Sequence, residues 1–113
     1  MPTNGPYEFK LSPKAVNGVI EDELGMFPGE WAWHKQDVNG DQFLAVYCCC
    51  PDCGLLMTIW RRFGTGTQGI KGHTINPLGE VSPSILHTYP VDGKEACGFH
   101  SIPTKLLGFM DLR

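Results

Sequence analysis

No stretch of this sequence gathers more than two basic residues; the densest is the pair Arg61-Arg62. Nine Lys plus Arg stand against twelve Asp plus Glu, a formal charge of -3. The sequence does not signal the concentrated basic face that nucleic-acid binding normally needs, although a dipolar charge distribution would also provide one, so nucleic acid is not a favoured partner. No apolar run reaches about eighteen residues, the length a membrane-spanning helix requires. The start, Met1 to Phe9, lacks a charged segment leading into an apolar one, so no export signal is read. These absences set the expectation of a cytoplasmic protein without membrane contact.

Glycine and proline are plentiful, fourteen and nine in 113 residues, beside a hydrophobic content of 42%. That mixture describes a turn-rich globular chain rather than a disordered one. The length suits one domain, 1–113, able to bury roughly two thirds of its unfolded surface. Cysteine is present five times, an odd number. In a reducing compartment such a set is explained more economically by metal ligation or catalysis than by disulfides.

The expected fold is mainly β: a small antiparallel sheet or zinc-ribbon-like sandwich with at most one short N-terminal helix. Residues 1–29 carry little pattern and form a less regular segment ahead of a β core, 30–113. The helix would follow Ser12, with Pro13 in its first turn, Val16, Ile20 and Leu24 on one face, and Gly25 as its stop. Beyond Glu30 the signals are those of strands. Trp31 to Gln36 and Gln42 to Cys49 flank Asn39-Gly40, the pair that most readily supplies positive φ in a hairpin turn. Phe43 to Cys49 is apolar on both alternating faces and belongs in the middle of a sheet. Leu55 to Trp60 makes a third strand. Shorter ones are expected around Gly72 to Asn76, Val81 to Tyr89 and Cys97 to Met110, separated by Asn76-Pro77, Pro90 and Asp92-Gly93.

The chemistry lies in Cys50-Pro51-Asp52-Cys53-Gly54, which has the form of a zinc knuckle. Two thiolates leave a tight turn on the same side, and glycine relieves the left-handed position after the second. Backbone N–H groups in such a turn point at the first sulfur and partly neutralise it. One pair supplies half a tetrahedron. Cys97-Gly98-Phe99-His100 is the other set of metal donors with a two-residue spacer, so the expected metal ligands are Cys50, Cys53, Cys97 and His100. Three thiolates and an imidazole make a closed, soft-donor site, which favours structural zinc, Zn2+, over zinc that keeps a position open for water.

Competing readings of the same residues are weaker. Cys48 and Cys49 suit core or sheet-face positions, although Cys49 with Cys53 is an alternative ligand pair. Cys50 and Cys53 also have thioredoxin spacing, but there a helix follows the first cysteine, whereas here Gly54 and a strand-like run follow. Gly64 to Gly69 matches a dinucleotide fingerprint without a helix able to follow it, because Gly72, Pro77 and Gly79 interrupt the next residues. Ser82-Pro83-Ser84-Ile85 reads as a rigid strand entry rather than a nucleophile, and His34, His73 and His87 as ordinary sheet or surface residues.

Taken in order, CPDCG, HTINPLGEVSPSI and CGFH resemble a family of small uncharacterised phage and bacterial proteins often labelled ammonia monooxygenase. The resemblance covers roughly Tyr47 to Ile102. Its recurring CPxCG, Pro-Ser-Ile and Cys-x-x-His motifs imply that Cys50, Cys53, Cys97 and His100 are corresponding positions. After His100 the chain departs from the family, reading Ser101-Ile102-Pro103-Thr104 in place of an aromatic-Ile pair and a glycine turn. The oxygenase label does not suit the residues, since copper oxygenation calls for histidine-rich ligation.

The expected function is a zinc-stabilised protein-binding module, with the resemblance implying a phage accessory protein that acts on a host protein in the host cytoplasm. The alternative is a thiol-disulfide oxidoreductase or zinc hydrolase using Cys50 and Cys53. No spare carboxylate, serine or histidine is placed by motif for acid-base work, which favours the module over the enzyme. If exposed, Trp31, Trp33, Trp60 and Phe63 would be anchors for a protein partner, but core burial is the expected fate of most of them.

Overall fold

The computed structural model describes residues 3–64, 71–87 and 97–113. Its elements are strands β1 (Asn4–Leu11), β2 (Glu30–Val38), β3 (Asp41–Cys49), β4 (Leu56–Phe63), β5 (Lys71–Gly72), β6 (Thr74–Ile75), β7 (Glu80–Ser82), β8 (Ile85–Leu86) and β9 (His100–Leu106). The one 3₁₀ turn among the described residues, Glu23–Gly25, is capped by the Asp22 side chain. The protein is mainly β, as expected, but the sheet is mixed: β1 runs parallel to both its neighbours, β2 and β9. Among the described residues no helix is long and apolar enough to cross a membrane.

The strands follow the order β5-β4-β3-β2-β1-β9-β7-β6, with β8 also on β9. The two end strands, β5 and β6, are separated only by His73, so one short segment pairs with β4 at its start and with β7 at its end. The sheet is thereby nearly closed on itself. At this junction the His73 N–H donates to Ile59 O at 2.8 Å, and Gly72 has φ 116°. A Cβ on Gly72 would lie 2.2 Å from Ile59 O, so the approach of the two backbones requires glycine.

The β2–β3 hairpin follows its turn chemistry. Asn39 and Gly40 have φ 53° and 86°, Val38 pairs with Asp41, and Asp37 Oδ1 accepts from the Gly40 N–H at 2.9 Å. Cross-strand partners share a face, so Trp31, Trp33, Val46, Cys48 and Trp60 point inward together. They form the main core with Phe9, Ile59, Phe99 and Leu106. The C-terminal segment closes over it. Trp31 Nε1 donates to Leu107 O at 2.8 Å, Trp33 Nε1 donates to Met110 O at 2.6 Å, and Phe109 packs against both indoles. Trp31, Trp33 and Trp60 are therefore core residues, while Phe63 is exposed. β3 is central and covered on both sides, its outer face meeting Ile20 and Met26.

Two expectations for the N-terminal segment are corrected. Residues 4–11 form a strand at the centre of the sheet, with Gly5, Tyr7, Phe9 and Leu11 on the more buried side and Asn4, Pro6, Glu8 and Lys10 exposed. The helix after Ser12 does not form. Asn17 and Gly18 both take positive φ, 52° and 81°, in a tight turn closed by the Val16–Val19 bridge. A second Asn-Gly pair thus does locally what Asn39-Gly40 does between β2 and β3. Ile20 is buried by this turn, but Val16 and Leu24 are exposed, so the proposed apolar face is not shared.

Candidate metal centre

The end of β3 delivers Cys50 into a tight turn. The Cys50 N–H donates to Leu55 O at 2.8 Å and the Gly54 N–H to Cys50 O at 2.9 Å, with Gly54 at φ 77°. The turn is anchored from outside: Asp52 accepts from the Thr3 N–H at 2.6 Å and from Thr3 Oγ1 at 2.7 Å. Strand alternation then assigns the three consecutive cysteines. Cys48 and Cys50 belong to the main core, whereas Cys49 faces the second cluster beside Met26 and donates its thiol to Gly54 O at 3.3 Å.

Cys50, Cys53, Cys97 and His87 bring one donor atom each within 4.8 Å of one another. Cys50 Sγ lies 3.4 Å from Cys97 Sγ, and His87 Nδ1 lies 3.5 Å from Cys53 Sγ and 3.4 Å from Cys97 Sγ. All five cysteines are free thiols. Cys50 and His87 are buried, Cys97 half-buried and Cys53 exposed, so the cluster sits under the surface with one thiol at its rim. Three sulfurs and a ring nitrogen at this spacing could hold a metal ion.

The expected fourth ligand, His100, is not in the cluster; His87 stands in its place. The cause is sheet parity. Leu86 pairs with His100 across β8 and β9, so these two side chains share a face, and Leu86 is exposed. One residue on, the His87 N–H donates to Phe99 O at 2.8 Å, and both His87 and Phe99 are buried. The reading of His87 as an ordinary sheet or surface histidine is likewise corrected. Its signal was available in Ile85-Leu86-His87: if Ile85 faces the core, alternation sends His87 the same way. Gly98 has φ 81°, so the second turn has a left-handed glycine as the first does.

Burial pushes the Cys50 thiol up to about 12, against hydrogen bonds from the backbone N–H groups of Cys53 and Asp52, which favour the thiolate. Those two donors are the ones a knuckle aims at its first sulfur. Burial also raises the Cys48 and Cys49 thiols. A cation among the four donors would supply the charge that burial otherwise denies the Cys50 thiolate.

Other candidates fall elsewhere. His34 is buried away from the cluster, its Nδ1 3.1 Å from Ile20 O, and His73 Nδ1 is 3.2 Å from Ile59 O. The glycine-rich segment 65–69, Pro90 and Asp92-Gly93 lie outside the described residues. Compared with family models, with curated proteins and with solved structures, the chain matches none.

Proposed function

We propose that the chain is a zinc-stabilised protein-binding module whose single structural zinc is held by Cys50, Cys53, His87 and Cys97. The observation that carries the reading is the closed donor set. A tetrahedral zinc with Zn–S of about 2.3 Å and Zn–N of about 2.0 Å sets its donors roughly 3.5 to 3.8 Å apart. The contacts of 3.4, 3.5 and 3.4 Å in the cluster are close to that spacing. Thiolate-rich ligation selects zinc over the oxygen-loving cations. With four protein donors, no coordination position is left for the water that zinc hydrolysis needs.

Redox use of Cys50 and Cys53 fits less well. An attacking thiol in such a motif has a lowered pKa at a helix N-terminus. Cys50 is buried, its thiol is pushed up to about 12, and its turn leads into β4. Protein binding is supported by large apolar side chains left in solvent, among them Val16, Leu24 and Phe27 in the N-terminal segment and Leu86 and Ile102 on β8 and β9. The resemblance to phage and bacterial proteins adds the reading of an accessory protein acting on a host protein. Native mass spectrometry of protein expressed with ample zinc should find one zinc per chain, and insulin reduction should be absent. Zinc-free folded protein would remove the reading, and rapid insulin reduction would replace it with the oxidoreductase.

A further inference from the structure

At the end of β3 remote from the metal centre, beside the Asn39-Gly40 turn, the inner face of the sheet opens into a cavity of about 380 Å³. The C-terminal segment that covers the tryptophans reaches this cavity only through Leu112. Register places Lys35, Leu44 and Arg62 side by side across β2, β3 and β4, so a lysine and an arginine flank the buried Leu44 on one face. Among the described residues, core packing thus stops at a row that carries two cations.

Arg62 is half-buried, and its Nε is sealed from solvent with no hydrogen-bond acceptor among the described residues. Neither Arg62 nor Lys35 has an ion-pair partner among the described residues. The carboxylate in the cavity wall, Asp37, already accepts from the Gly40 N–H. A nitrogen sealed from solvent is equally closed to a ligand in the cavity, so Arg62, half-buried and lining that cavity, would meet an anion through its terminal guanidinium nitrogens. The fork of an arginine matches the two oxygens of an oxyanion, a lysine adds a point charge, and Leu44 and Leu112 offer apolar surface beside them.

We propose that this cavity binds a small organic oxyanion, its carboxylate or phosphate held by Arg62 and Lys35 and its apolar part lying against Leu44 and Leu112. Open ends of nearly closed β sheets, and cavities of this size, are common sites for small ligands. The site is separate from the metal centre and does not depend on what the metal does.

The test uses the full-length, zinc-loaded, ¹⁵N-labelled protein titrated separately with benzoate and with inorganic phosphate, against sodium chloride at matched ionic strength. At least one of the two anions should shift the Arg62 Nε–H resonance and the Lys35, Leu44 and Leu112 amides saturably, leaving the Trp31 indole in place. Benzoate alone would assign a carboxylate ligand, and phosphate alone a phosphorylated one. Arg62→Gln and Lys35→Gln should each weaken the response by about tenfold, the loss of a charge-assisted contact. Lys35 is exposed, so its variant carries the test should Arg62→Gln fail to fold. No saturable response to either anion, an equal response to chloride, or undiminished binding in the variants would overturn the proposal.

Discussion

The two halves of this sheet are held together by different means. β2, β3 and β4 are eight or nine residues long, pair along nearly their whole length and bury three tryptophans. β6, β7 and β8 are two or three residues each; β6 meets β7, and β7 and β8 meet β9, through two-residue registers. Strands that short contribute little cooperative pairing. It is in this second half that His87 and Cys97 reach across to Cys50 and Cys53. The difference teaches that side-chain packing suffices where strands are long, and that where they are short the four donors that could hold a metal ion are what spans the two halves.

The largest expected effect comes from removing the metal. Structural zinc in small domains is worth roughly 10 to 16 kcal/mol of apparent binding energy, comparable with the whole stability of a domain, about 5 to 15 kcal/mol. Hydrogen exchange with and without chelator should therefore show protection collapsing first at His87, Ser101 and Thr104, with the β2–β3 amides the last to exchange. Simultaneous loss in both halves would break the comparison.

A packing defect in the other half should do the converse. Trp33→Ala removes a fully buried indole and its hydrogen bond to Met110 O, and should cost about 3 to 5 kcal/mol in denaturant unfolding of the zinc-loaded protein. Zinc per folded chain should stay unchanged, which metal analysis of the same samples would check.

The pH response should differ in sign between the metal-free and metal-loaded forms. Without metal, burial raises Cys50 from its ordinary 9.0 to about 12, so the folded state holds that proton more tightly than the unfolded chain. Its contribution is complete below pH 9 and is lost as pH climbs towards 12. With metal the thiolates are already deprotonated, and stability should instead fall on acidification as protons displace the ion. Thermal melts across pH, with and without chelator, distinguish the two forms, and Cys50→Ser should make the alkaline limb of the metal-free curve shallower, the buried Cys48 and Cys49 thiols supplying what remains of it.

The smallest effect belongs to the hairpin turn. Gly40 has φ 86°, and a Cβ there would meet nothing within 4 Å. Gly40→Ala should cost only the left-handed backbone, about 1 kcal/mol, measured by chemical denaturation.

What could be read from the sequence divides along the same line. The Asn39-Gly40 hairpin and the doubly covered β3 were legible because turn chemistry and a long apolar run act locally. β1 was harder to read because Gly5 and Pro6 interrupt the alternation of Tyr7, Phe9 and Leu11, and because its parallel partners, β2 and β9, lie far along the chain. Asn17-Gly18 carried the same turn signal as Asn39-Gly40, but a spacing of Val16, Ile20 and Leu24 that suits a helix masked it. In the site, Cys50 and Cys53 were legible from their spacing. The fourth donor was not: a motif count favoured His100, whereas the face a residue takes depends on which residues pair across β8 and β9.

The central claim is that Cys50, Cys53, Cys97 and His87 share one ion, and zinc content in two histidine variants tests it most directly. Native mass spectrometry of His87→Ala should show zinc lost from the chain, because three remaining donors leave a tetrahedral site incomplete, while His100→Ala should retain one zinc. Full zinc in His87→Ala together with loss in His100→Ala would contradict the account.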